Sequence, residues 1–218
     1  MTTQTIATPA QSRDPLLVLV AVSPVAAGIL TTIGAAADPA QGFEGEALWR
    51  LYAAHPAPLQ IKSLALHWGY AFWFLTALAM PFLIRGRGRG LAWAAGIAGF
   101  AGMATLPGVL ALDWYDSAIG QAFGVEGNAA VKAALDAMWG PPVFKAPGVI
   151  SLVLALPLSA LALWRAGVLP LWAVLLPVAG FAAMAVSGLA WWGAAVMTVV
   201  YAGFSALLLK RLPAETIS

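Results

Sequence analysis

The sequence predicts an all-α membrane protein, a polytopic bundle of about six transmembrane helices with both termini cytoplasmic and two short interfacial helices on the outer side. Three observations carry that prediction. The 218-residue chain is 61% hydrophobic and 9% charged, whereas soluble domains run at roughly half apolar and a quarter charged. Its apolar residues gather into runs matching the roughly 20 residues a helix needs to cross the hydrocarbon layer. Its basic residues, placed on a six-span thread, fall mainly on one side. No polar linker divides the chain, so residues 1–218 read as one domain.

The first span is expected over residues 16–36, with Asp14-Pro15 ahead of it supplying an N-cap and a proline at the first helical position. Ala35-Ala36-Ala37 has the small residues of a signal-peptidase site, but the apolar run is long for a signal peptide and a retained anchor is preferred. The second and third spans are expected over 64–84 and 91–112, and a short fourth over 149–164. Between Pro170 and Leu209 no charged residue occurs. A single helix of that length would be about twice as long as the membrane is thick. The chain therefore folds back, and Ser187-Gly188 is the expected turn between spans 170–187 and 189–209.

On this thread Arg13, Arg85, Arg87, Arg89, Arg165, Lys210 and Arg211 share one side, and Arg50, Lys62, Lys132 and Lys145 the other. Asp14 and Glu215 join the first group, while the remaining acids join the second. The positive-inside rule puts the arginine-rich side in the cytoplasm, and the Arg85–Gly90 turn, RGRGRG, is its clearest topological anchor. The expected location is the plasma membrane.

Two long connections then share the outer side. In residues 38–63, Leu48, Leu51 and Tyr52 fall on one helical face and Glu46 pairs with Arg50 at i,i+4. In residues 113–148, Asn128 is positioned to cap a helix whose stripe is Val131, Ala134, Leu135 and Met138, with Lys132 and Asp136 facing water. Both segments read as short amphipathic helices at the membrane surface or over the bundle mouth. Within the spans, Ala94, Ala98 and Gly102, with Gly96 and Gly99 beside them, allow close helix approach. Pro81 and Pro107 are expected kinks.

Several classes of chemistry lack their residues. Zero cysteines exclude disulfides, thiolate nucleophiles, iron–sulfur clusters and thiolate zinc sites. No phosphate loop, Ser-His-Asp set, metal-ligand spacing or dinucleotide fingerprint occurs, so no cofactor and no metal are expected. No basic stripe suits nucleic acid. On the expected boundaries, charged Lys, Arg, Asp and Glu are absent from mid-span, and His67 is the one ionisable residue within a span, with Tyr70 and Phe74 following on its face. A bis-histidine haem would need His55, which precedes Pro56 in a loop and suits that role poorly.

The segment LALDWYDSAIGQ at the outer end of span three is the richest in reactive groups. Asp113 and Asp116, three residues apart, share a helical face beside Ser117. Like charge and burial raise a carboxyl pKa, so the pair is a candidate proton donor, with His67 as a third catalytic candidate. Trp68, Tyr70, Trp73, Trp114, Tyr115, Trp191 and Trp192 are candidate walls of an aromatic pocket, beyond what an ordinary interfacial belt requires. Glu44, Glu46 and Glu126 are weaker acids of the same kind. The plain alternative is a solvated pair of acids ending a transmembrane helix.

The runs HPAPLQIKSLALHWGYAFWFLTALAMPFLIRGRGRGLAWAAGIAGFAG and GPPVFKAPGVISLVLALPLSALALWRAGVLPLWAVLL resemble small six-span actinobacterial integral membrane proteins. The likeness lies in the HP loop, the His-bearing second span, the Arg-Gly turn and the ALWRAGVLP turn. It covers about residues 50–185, its motifs are mostly topological, and it implies a membrane bundle without supplying catalytic residues. In size, span count and interfacial acids near aromatics, the chain is also similar in architecture to small integral-membrane terpene cyclases. That similarity implies acid-initiated chemistry on an isoprenoid. The expected function is therefore to handle a hydrophobic small molecule among membrane lipids, as a terpene cyclase using aspartate in an aromatic pocket. The alternative is a non-catalytic accessory, immunity or assembly subunit that docks a protein partner through its outer loops. A small transporter is least favoured, for want of buried charge or an inverted repeat.

Overall fold

The computed structural model describes residues 14–212; Arg13 and Glu215, which entered the charge count, lie outside them. The described chain forms α1 (Pro15–Ala37), α2 (Gly45–Ala54), α3 (Pro56–Leu83), α4 (Arg89–Val109), α5 (Ala111–Asp136), α6 (Gly140–Arg165), α7 (Leu175–Val186) and α8 (Trp191–Arg211), with a 3-10 turn at Leu171–Val174 before α7. Five stretches are long and apolar enough to cross a membrane: α1, α3, the run Arg89–Asp136 joining α4 to α5, α6 and α8. The expected fifth span is the 3-10 turn plus the 12-residue α7, shorter than the roughly 20 residues of a full crossing.

The helix starts follow local chemistry. The Asp14 carboxylate accepts the Leu16 N–H at 2.9 Å, the expected cap. α3 begins at Pro56, eight residues before the expected boundary, and α6 begins at Gly140, nine residues before it. Both starts carry proline in the first two helical positions, where a missing N–H costs nothing. Lys62, expected in the outer loop, therefore sits in the second turn of a membrane-length helix. The segment after Asp113 is helical too. α5 runs on to Asp136 with one break, at Gly124, whose φ of 72° and ψ of −172° no helix contains. Asn128 lies within this second half and does not cap it. The fold-back at Ser187-Gly188 is as expected, with Gly188 and Leu189 both left-handed at φ 65° and 64°.

Helices pack in a closed ring. α1 lies between α3 and α8, α4 bridges α3 and α6, and α7 joins α8 back to α6; α2 lies against α5. Small residues set the approach, and of the expected set the three glycines carry it. Gly96, Gly99 and Gly102 form the α4 face toward α3, and a Cβ on them would meet Pro81, the Leu78 N–H region and the Phe74 ring respectively. Ala94 points outward, exposed. Inside the ring Trp73, Phe74, Met80, Leu156, Leu163, Tyr201 and Phe204 are fully buried. Ile97, Phe100, Phe82 and Val199 point outward at 65–73% exposure, an apolar exterior that water would penalise and lipid solvates.

Pro24 inside α1 leaves the Val20 carbonyl without its N–H partner. Thr76 on α3 and Ser23 of α1 itself fill the gap, their hydroxyls donating to that carbonyl at 2.9 and 3.1 Å, and Ser205 on α8 accepts the Val25 N–H at 3.1 Å. Neighbouring helices thus repair the break, as apolar surroundings require.

The helices alternate in direction, so their ends sort by charge. Arg85, Arg87, Arg89, Arg165, Lys210 and Arg211 gather at one end, where a Cβ on Gly88 would lie 2.7 Å from the Ala162 carbonyl of α6. The other end carries the α1–α3 connection, α2 and α5, with most of the acids.

Candidate functional site

At the acidic end the first turns of α3 place Lys62 and Ser63 side by side, both buried. α1 stops at Ala37, and Asp38 follows as its C-terminal cap, its Oδ1 accepting the Ala40 N–H at 3.0 Å. The α4–α5 joint brings Asp113 down beside them. Lys62 Nζ lies 3.1 Å from Asp113 Oδ2 and 3.5 Å from Asp38 Oδ2, with side chains only 11–20% exposed. Ser63 Oγ donates to the same Asp113 oxygen at 3.0 Å. One ammonium thus faces two carboxylates, and the cluster carries a net charge of −1.

α2 closes the cluster. Its face of Leu48, Leu51 and Tyr52 packs on Leu59 and Ala40, as its apolar pattern predicts, while Glu46 and Arg50 pair on the exposed side at 3.3 Å. Lys62 Nζ donates to the Tyr52 hydroxyl and sits 4.6 Å from the ring centroid. Burial pushes the Tyr52 phenol up to about 12, against the lowering effect of the bonded ammonium. The other end of Tyr52 is fixed as well, because Ser117 Oγ donates to its backbone carbonyl at 2.8 Å. Tyr52 therefore ties α2 to α3 through its ring and to α5 through its backbone.

The two candidate acids have different partners. Asp113 turns to Lys62 and Ser63. Asp116 has Asn128 and Trp49 as neighbours, and its backbone carbonyl accepts the Asn128 amide at 2.9 Å, which folds the second half of α5 back on the first. Asn128 Oδ1 is buried without a conventional donor. It lies against Gly120, where a Cβ would stand 3.1 Å away. His67 is half-buried, its Nδ1 3.3 Å from the Pro107 carbonyl at the end of α4 and its ring edge-on to Trp68 at 5.5 Å.

The aromatic candidates scatter. Trp73 is a core residue at 1% exposure, its Nε1 donating to the Leu152 carbonyl at 3.2 Å and its ring edge-on to Tyr201 and Phe181. Tyr70 packs half-buried beside the same core. Trp68 and Tyr115 are exposed, and Trp191 and Trp192 begin α8, which packs on α1 and α7 and not on α5. Trp114 alone of the seven lines a cleft of about 520 Å³ between the start of α3 and the first half of α5. Pro56, Leu59, Gln60 and Leu64 form one wall, and Ser117, Ala118 and Gln121 join Trp114 in the other. Gln121 Nε2 donates to Ser117 Oγ at 3.0 Å.

Sequence reasoning missed Lys62, Tyr52, Gln60 and Gln121. The Pro56 and Pro58 start signal would have put Lys62 in the helix, and Tyr52 was already on the packed face of α2. Nothing local marks the two glutamines. Among the described residues no three His, Asp or Glu side chains converge to hold a metal. Comparison of the chain with protein-family models, curated proteins and solved structures returns no match.

Proposed function

We propose that this chain is a multi-pass plasma-membrane protein of six crossings, both termini cytoplasmic, that binds a hydrophobic small molecule in the cleft between α3 and α5 on the outer side. The observation that carries the reading is the cleft itself. Its volume of about 520 Å³ falls within the roughly 300–1,000 Å³ of small-molecule pockets, and its mostly apolar lining with a few polar groups is the usual composition. The gathering of basic residues at the opposite end supports the orientation. α7 would complete the sixth crossing with help from the preceding 3-10 turn.

Acid catalysis on an isoprenoid, as in a terpene cyclase, is the finer proposal, and the geometry shapes it. Asp113 is taken up by Lys62 and Ser63, so a proton-donor role would fall to Asp116. A second reading, docking of a protein partner as an accessory or assembly subunit, draws on the second half of α5. There Val131 and Leu135 are exposed, as are Met138 and Trp139 just past its end, the last at 81%.

Two experiments test the proposal. Substituting Ala118→Phe fills the cleft; apolar-ligand binding, read as quenching of Trp114 by difference from a Trp114→Phe blank, should vanish while the protein stays monodisperse. Unchanged binding would remove the cleft from consideration. For orientation, a cysteine at Ala130 should label from outside the cell and one at Arg87 should not; the reverse pattern would overturn the threading.

A further inference from the structure

The lining of the cleft restricts the ligand class further, an inference that rests on the cleft being the binding site. None of its eight lining residues is charged. The polar groups are the Gln60 and Gln121 amides and the Ser117 hydroxyl. The Ser117 proton goes to the Tyr52 carbonyl and one Gln121 N–H goes to Ser117. What remains free is amide capacity that can both donate and accept, at exposed Gln60 and Gln121. The nearby ion cluster is internally paired and negative overall, with its one ammonium held by Asp113, Asp38 and Tyr52.

We infer that the cleft selects a neutral amphiphile with a hydroxyl head over an anionic or cationic one with the same tail. An anionic head would lose water, find no cation in the lining and lie beside a net-negative cluster. A cationic head would lose water and find no carboxylate in the lining, and the attraction of the cluster is weakened because both its carboxylates already face Lys62. A head that both donates and accepts keeps its hydrogen bonds through the two amides, and a buried polar group without them is costly. The apolar tail lies along Leu59, Leu64 and Trp114.

The test uses four probes sharing one tail, each with bromine on its far carbon: 12-bromododecanol, 12-bromododecanoate, 12-bromododecylammonium and 1-bromododecane. Each is titrated at pH 9 into protein in zwitterionic nanodiscs, and quenching is read as the difference from a Trp114→Phe blank. The alcohol should bind about 2–10-fold tighter than bromododecane, the increment of one net hydrogen bond, and tighter than both charged probes. Gln60→Leu/Gln121→Leu should bring the alcohol down to the bromododecane level. A charged probe matching the alcohol, an alcohol no tighter than bromododecane, or an unaffected double variant would overturn the inference and leave the cleft standing. Failure of all four probes to quench would overturn the cleft itself.

Discussion

Replacing Lys62 with methionine keeps most of the side-chain stem and removes the charge that Asp113 and Asp38 face. At 3.1 and 3.5 Å, each attraction is worth about 5 kcal/mol before solvation at an effective dielectric near 20. Much of that sum is offset by taking the ammonium out of water and by repulsion between the two acids. Measured losses on deleting one partner of a buried pair are about 3–5 kcal/mol, and the 11–20% residual side-chain exposure places K62M near the lower figure. Asp113→Asn should cost less, about 1–3 kcal/mol, because the amide oxygen still accepts from Ser63 and Lys62. The double variant should fall short of the sum of the two, since each single change already breaks the shared pair. Unfolding in mild-detergent micelles with increasing SDS, followed by tryptophan fluorescence, gives all three values. A K62M protein within about 0.5 kcal/mol of the parent, the range of an ordinary surface substitution, would refute the claim that the cluster holds α2 and α5 to the bundle.

Other consequences are independent of that cluster or meet it from another side. The Tyr52 phenol sits at about 12 in the folded protein against about 10 in an unfolded chain. Its contribution to stability is thus fully present below pH 10 and is lost as pH rises toward 12; Tyr52→Phe should delete the phenolate transition near 12 from an absorbance titration at 295 nm. Gly102→Ala places a methyl group into the Phe74 ring and should cost about 1–3 kcal/mol by overpacking, whereas Gly108→Ala, with nothing within 4 Å, should not; equal effects would dispute the α3–α4 contact. Thr76→Val removes one of the two hydroxyls that donate to the carbonyl freed by Pro24, Ser23 keeping the other at 3.1 Å, and should lose about 0.5–1.5 kcal/mol, the net worth of one hydrogen bond, in the same SDS assay.

Composition and run length were enough to determine that this chain is an apolar helical protein with helices able to cross a membrane. Lipid solvation needs no partner, so it is written residue by residue. The N-cap at Asp14, the fold-back at Ser187-Gly188 and the packed face of α2 were readable for the same reason: each depends on neighbours within a turn or two. Two helix starts were placed too late because hydropathy outweighed the prolines at 56 and 141–142, which also signal a helix start.

Other features required distant segments to meet. Asp113 and Asp116 share a helix, as their spacing predicts, but Lys62 from α3 claims the first and leaves Asn128 and Trp49 to the second. Trp73, one of seven similar aromatics in the sequence, is a core residue because α6 and α8 close over it, and Trp114 lines a cleft because α3 starts early enough to form the other wall. A side chain's residue type fixes what it can bond or bury. Which partner it meets depends on how the helices pack around the ring, and in this protein that packing separates an ion-paired aspartate from the neutral cleft beside it.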